Sequence, residues 1–409
     1  MGNLQESTGK DTLRFVLLTA KSLHESGLPS HRLEEKLEKL CTQLAIEAQF
    51  FTTPGSIFAS ITIEGVMQSH MIKVTDSELH LEKMDAIENI IEQVNASTLS
   101  IPEAIQQLKV RNAQRERYPT WMMILFFGIS TAAAACVFGG QLPEIISALI
   151  IGLGIGSFGV FLQKIPQLGK VFVLISAVWA VSVTSFFQAQ FLGFQVDIAT
   201  ICGLILLIPG FTFTVSITEM VNNHLIAGLS RFTTAFVTFI MLAIGIAIGK
   251  QLMLPVASQV PHAVWTSLPV WKEWIALIFV PLGFVVLFRA KPRDFIWILL
   301  GCWTSYFTFK ISNWYTTPVT SVFIASFVLG VVSNIFASWK KRNSSVMLVP
   351  GMILLVPGSL GFFSISHLVD SDIVAGLEIA LKMLSTSMAL VLGILFSNLL
   401  PFSFAQKKI

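Results

Sequence analysis

Hydrophobic and polar positions follow two regimes along the chain. Residues 12–27 (TLRFVLLTAKSLHESG) and 31–46 place apolar side chains at helical spacing, with Gly27 as a C-terminal cap and Ser30 as the cap of the second helix. Glu34 lies close to the capping-box position behind Ser30. Three short strand-like runs follow, QFFTT (49–53), SIFASITIE (56–64) and HMIKV (70–74), and Pro54-Gly55 turns the first into the second. Helices near 79–95 and 101–117 complete an α+β module of about 115 residues, enough to bury a core of its own. From residue 119 the alternation gives way to long apolar runs. A membrane span needs about 20 mostly apolar residues. Ten runs meet this: 121–138, 142–162, 171–190, 196–217, 229–249, 273–289, 294–311, 318–338, 345–366 and 374–400.

Composition sharpens the division. The 409 residues are 54% hydrophobic and 12% charged, with a net charge of +3. That charge content is about half that of a soluble domain. Residues 1–118 hold 28 of the 51 charged side chains and carry a net −4, whereas 119–409 hold 23 and carry +7. The +3 is therefore a cancellation, and no basic stripe with stacking aromatics points to nucleic acid. Residues 1–15 lack the basic and apolar regions of a signal peptide and offer at most a weak myristoylation motif. The polar module is thus expected to stay on the cytoplasmic side. Cys41, Cys136, Cys202 and Cys302 are far apart and form no CxxC or Cys/His pattern, so they read as small apolar fillers. No cofactor or metal is expected.

Lys109, Arg111, Arg115 and Arg117, followed by Tyr118 and Trp121, mark the cytoplasmic end of a first span. Counting from there, the loops after even-numbered spans carry Lys164 and Lys170, then Arg231 near Glu219, then Arg289, Lys291 and Arg293, then Lys340, Lys341 and Arg342. The C-terminal tail adds Lys407 and Lys408. The other loops hold only single basic residues at span edges, so the positive-inside rule favours ten spans with both termini cytoplasmic.

Within this pattern lies an internal repeat. GLILLIPGFTFTVSITEMVNNHLIAGL (203–229) and GMILLVPGSLGFFSISHLVDSDIVAGL (351–377) share 12 of 27 positions at an offset of 148, including Pro209/Pro357 and Gly210/Gly358. The copies fall on the fourth and ninth spans. Five spans per half is an odd number, so the second half enters the membrane from the opposite face. The expected fold is a polytopic α-helical membrane protein with ten transmembrane helices as two inverted five-helix repeats, preceded by a small α+β cytoplasmic domain. Its expected divisions are residues 1–118, a first membrane half 119–250, an extracytoplasmic linker 251–272 and a second half 273–409.

Matched Pro/Gly breaks in inverted halves mark the binding site of secondary transporters. Proline removes an N–H and glycine bares backbone, which leaves carbonyls and half-helix ends for a ligand. Pro209, Gly210, Pro357 and Gly358 are the candidate site. Glu219 and Asn222, beside the repeat loop, are candidates for a gate. Ionisable residues in a span need a reason. Arg231 snorkels or serves the site. Glu378 and Lys382, at i, i+4 in the tenth span, either neutralise each other or carry and tune a proton. Glu144, at the start of the second span, reads as exposed. His24, Glu25, His31, Arg32, Glu34 and Glu35 cluster at the first helix junction, but Gly27-Leu28-Pro29 breaks the spacing a zinc helix needs. With no Walker A motif, GxGxxG loop or GxSxG elbow, transport would run on an ion gradient rather than ATP.

The chain resembles the threonine/serine exporter family over residues 12–403. SGLPSHRLEEKL (26–37), FFTTPGSIFASI (50–61), YPTW (118–121), LLIPGFTFT (206–214) and LLVPGSLGF (354–362) carry the likeness. The resemblance implies a non-enzymatic exporter of L-threonine and L-serine, driven by the proton motive force, in a plasma membrane of the bacterial inner-membrane type. Its partners would be its small-molecule substrate, protons and the lipid bilayer, with no nucleic acid; a homo-oligomer is compatible with the sequence. Two-chain relatives export a dicarboxylate, succinate, and in that reading Arg231 and Lys382 would be substrate ligands. A membrane-anchored hydrolase or sensor using His24, His31 and Glu34 is the alternative from another class.

Overall fold

Apolar residues at helical spacing form α1 (Gly2–Glu25), which buries Phe15, Val16, Ala20 and Leu23 along one stripe. Gly27 ends it at φ +84, and a Cβ there would lie 3.0 Å from the Leu79 backbone, so both conformation and space require glycine. α2 (Ser30–Gln43) starts one residue earlier than its periodicity suggests, with Pro29 rather than Ser30 at the cap position. β1 (Glu47–Thr53), β2 (Ser56–Ile63) and β3 (Val66–Lys73) form an antiparallel sheet in that order, and Thr53 faces Ser56 across the Pro54-Gly55 turn. Phe50, Ile57, Ala59 and Ile61 enter a core with Leu33, Leu37 and Ile87. Phe51, Phe58 and Met71 stay exposed, as period-two alternation requires. α3 (Leu81–Asn95) and α4 (Ile101–Ala113) close the core, α4 through a Ser100–Glu103 capping box. The computed structural model describes residues 2–63, 65–74, 78–162, 164–257, 268–269, 271–369 and 371–400.

The chain divides into two compact units, Met1–Arg117 with Val215–Phe232, and Tyr118–Thr214 with Thr233–Ile409. The second unit draws on α5 (Thr120–Val137), α6 (Leu142–Leu162), α7 (Pro166–Gly169), α8 (Phe172–Gln190), α9 (Val196–Leu204), α10 (Gly210–Val221) and α11 (Leu225–Ala257). It continues with α12 (Trp271–Leu287), α13 (Phe295–Ser312), α14 (Pro318–Lys340), α15 (Ser345–Leu355), α16 (Gly358–Val369) and α17 (Ile373–Asn398). Among the described residues eight helical segments are long and apolar enough to cross a membrane, which makes this a polytopic membrane protein. The fourth expected span, split between α9 and α10, and α12 at 17 residues fall below that length. Half of the expected 251–272 linker (258–267 and 270), and Lys407 and Lys408, lie outside the described residues, while 251–257 continue α11 and 271–272 open α12.

Helices in this unit pack through small residues, as expected where lipid removes the hydrophobic drive. A Cβ on Gly245 would lie 2.6 Å from Ala177 of α8, and one on Gly393 would lie 2.0 Å from Ser326 Oγ of α14. These are corresponding contacts in the two halves of the sequence. Polar bonds tie the loops into two groups. Glu144 accepts from the N–H groups of Gln141 (2.7 Å) and Gln195 (2.8 Å), Lys272 donates to Gly140 O (2.7 Å), and Gln141 accepts from Leu268 N (2.7 Å). These join the segments after α5, after α8 and before α12. Tyr118 donates to Ala290 O (2.7 Å), and Arg342 forks onto Asp294 at 2.6 and 3.0 Å, joining the segments before α5, after α12 and after α14. Glu144 is therefore buried rather than exposed. Its carboxylate satisfies orphan N–H groups at two helix starts, which stabilises a charge near positive dipole ends.

Candidate functional site

The two Pro-Gly breaks fold alike. Gly210 N–H donates to Ile208 O and Gly358 N–H to Val356 O, both at 2.8 Å, a tight three-residue turn with proline at its centre. Proline's fixed φ suits that turn and its missing N–H ends the preceding helix. α10 and α16 then start at the glycines. A Cβ on Gly210 would lie 2.8 Å from Gly358 Cα and 2.6 Å from Val356 Cγ1, while one on Gly358 would lie 3.1 Å from Ile208 Cγ2. The breaks therefore meet, each glycine against the other's turn, and Pro209, Gly210, Pro357 and Gly358 form one locus. Its surroundings are apolar: Leu348, Met352 and Leu355 pack with Phe211 and Val356. Ser305, whose Oγ is buried without a hydrogen-bond partner among the described residues, comes to α15 at Gly351.

The corners after the breaks also match. His224 N donates to Glu219 O at 2.9 Å and Asp372 N to His367 O at 2.8 Å. Asn223 and Ser371, 148 apart, both adopt positive φ, at 64° and 66°. The copies diverge in their side chains. His367 stands where the first copy has Glu219, and Asp372, where it has His224, accepts from Ala375 N to cap α17. Asn222 donates to its own helix at Thr218 O (2.7 Å).

Glu219 belongs to a second locus, in the first unit. Its carboxylate is fully buried rather than a wet edge group. It accepts Ser30 N–H at 2.9 Å and Arg231 Nε at 3.1 Å to each oxygen. Ser30 opens α2, so its N–H is an orphan donor that Glu219 satisfies from 189 residues away. Arg231 is committed to this pair rather than snorkelling. Around it, Glu34 accepts Thr52 N and Oγ1, both at 2.7 Å, instead of closing a capping box, and its other oxygen lies 3.5 Å from His224 Nδ1. His24 Nε2 reaches Thr53 O at 2.8 Å. Burial holds both His24 and His31 below the ordinary histidine value, His31 at about 3, so both rings are neutral at neutral pH. His31 Nδ1 is buried with no hydrogen-bond partner among the described residues. Among the described residues no group of three or more His, Cys, Asp or Glu is placed to hold a metal ion. Cys41 is buried and its thiol is pushed up to about 12, in keeping with a filler role. Sequence spacing did not bring Ser30 or His224 to this locus, because their partners come from segments almost two hundred residues apart.

Glu378 and Lys382 bond to each other at 2.7 Å with side chains 64% and 60% exposed, on the outer side of α17. They do not join either locus among the described residues.

Two family models, both described as threonine/serine exporter, match residues 14–253 and 273–400. The chain is 24% identical over 97% of its length to pheromone-regulated membrane protein 10 of Eremothecium gossypii, of which it covers 57%. Against the proteins of that name from Kluyveromyces lactis and Saccharomyces cerevisiae the identities are 25% and 24%, over 97% of this chain and 44% and 54% of theirs. The chain thus spans about half the length of the curated relatives it matches. No solved structure matches it.

Proposed function

Since the chain belongs to the threonine/serine exporter family, we propose that it is a secondary exporter of L-threonine and L-serine, driven by the proton motive force. It works by alternating access around the meeting point of the two broken helices. The observation that carries this reading is the contact between Gly210 and Gly358. α10 and α16 both begin there, and each helix N-terminus carries roughly +0.5 of a charge. Two of them balance about one carboxylate, which every amino acid presents. Carbonyls at the ends of α9 and α15 supply acceptors for its ammonium group. Glu219, with Asn222 beside it, latches the gate through Arg231, and Glu378 carries the coupling proton with Lys382 tuning it.

Ten spans in two inverted halves, with cytoplasmic termini in a plasma membrane, complete the proposal. The matched breaks and corners support the repeat. The sorting of loop contacts into two groups supports the odd number of crossings per half, and Arg289, Lys291, Arg293, Lys340 and Lys341 all belong to the second group. The relatives named above are yeast proteins, so a bacterial inner membrane is a proposal for this chain alone, checked by fractionation. Cysteine labelling of the 250–272 and 339–344 loops on opposite faces is the expected topology result; labelling on one face refutes the inversion.

A radiolabelled efflux panel tests the substrate. Cells lacking the protein should accumulate threonine when fed threonine dipeptides, and normal efflux in them removes the proposal. Faster efflux of succinate than of threonine would instead select the dicarboxylate reading. That reading requires the substrate to displace ion pairs, since Arg231 holds Glu219 and Lys382 holds Glu378.

A further inference from the structure

A cavity of about 430 Å³ opens in the first unit between the start of α3 and the end of α4, lined by His80, Glu82, Lys83, Arg111, Arg115 and Arg117. Its size falls in the range of small-molecule sites, roughly 300–1,000 Å³. Its charge is one-sided. Arg117 neutralises Glu82 through a two-pronged contact, Nε to Oε2 at 2.7 Å and Nη2 to Oε1 at 2.5 Å. His80 caps α3 by accepting Lys83 N–H at 3.1 Å, and its other ring nitrogen lies 3.3 Å from Glu116. Among the described residues the Arg111 side chain donates only to the neutral Gln114, at 3.1 Å. No carboxylate among the described residues pairs with Lys83 or Arg115. Three positive charges therefore face one cavity without a matching negative charge, beside the positive end of α3.

We propose that this cavity binds a phosphate-bearing anion. Guanidinium forks and an ammonium group match the several oxygens and multiple charge of a phosphate, whereas a single carboxylate would leave most of the charge unbalanced. The phosphate is carried by a soluble anion or by a lipid headgroup. The second source is within reach of the chain, because Arg117 is three residues before the first apolar helix at Thr120. The cavity shares no lining residue with either locus above and its occupancy does not depend on what is exported.

The test uses the full-length protein in an uncharged maltoside detergent and follows thermal unfolding with pyrophosphate, short-chain phosphatidylglycerol or short-chain phosphatidylcholine. Saturable stabilisation by pyrophosphate identifies a soluble source, and stabilisation by phosphatidylglycerol but not phosphatidylcholine a headgroup. Either should weaken as salt rises from 50 to 300 mM. Lys83→Gln with Arg115→Gln should raise the half-saturating concentration about tenfold or more, while Lys83→Arg, and Lys21→Gln at a position that does not line the cavity, leave it within twofold. No response of the wild type to either phosphate ligand overturns the proposal, and so does an equal response of the double variant.

Discussion

Arg231→Leu puts the buried charge pair of the first unit under a direct load. The Glu219 carboxylate, with no exposed surface, has Arg231 Nε at 3.1 Å from both oxygens and one further donor, Ser30 N–H at 2.9 Å. Leucine replaces the arginine stem but donates nothing, so a charge shut off from water keeps one hydrogen bond. Breaking a buried pair from one side costs about 3–5 kcal/mol. The Arg231 side chain keeps 17% of its surface exposed, which puts the expectation at the low end, about 3 kcal/mol. For a unit of this size that lowers the apparent Tm by roughly 10 °C. The assay is thermal unfolding of the full chain in detergent beside Lys39→Leu, which removes an ion pair whose side chains are 69% and 60% exposed and should shift Tm by less than about 2 °C. Glu219→Leu with Arg231→Leu should recover most of the loss, since no lone charge is then buried. The reasoning is refuted if Arg231→Leu shifts Tm no more than Lys39→Leu, or if the double variant is no more stable than the single one.

Gly210→Ala brings a Cβ to 2.8 Å from Gly358 Cα, a backbone atom that cannot yield cheaply. Threonine efflux should fall at least about tenfold with a stability loss of about 1–3 kcal/mol, against no change for Gly55→Ala, whose Cβ meets nothing within 4 Å. His31, held at about 3 in the folded state against an ordinary 6.5, contributes stability that is present above pH 6.5 and lost as pH falls toward 3. Lowering the pH from 7 to 4.5 should cost about 2.5 kcal/mol, and chemical denaturation at the two pH values should show His31→Phe losing that part of the dependence. Glu378→Gln should uncouple efflux from the imposed proton gradient while substrate binding persists, and unchanged coupling would move the proton to another carboxylate.

Local and periodic features were legible in the chain. The 3.6-residue spacing of Phe15, Ala20 and Leu23, the alternation through Ile57, Ala59 and Ile61 and the apolar runs after Thr120 declare themselves within ten to twenty residues, because hydrophobic burial and backbone hydrogen bonding act at that range. The Pro209/Pro357 repeat was equally visible, since proline and glycine act on their own backbone. What those segments meet was decided by tertiary structure alone. Nothing near Glu219 announces that its partner is Ser30 N–H, and Glu144 reads as a wet helix start until Gln195 arrives at its carboxylate. A buried charge survives only where donors converge, and those donors come from distant segments. The contact of Gly210 with Gly358 is of the same kind: the sequence holds two breaks, and only the fold makes them one place.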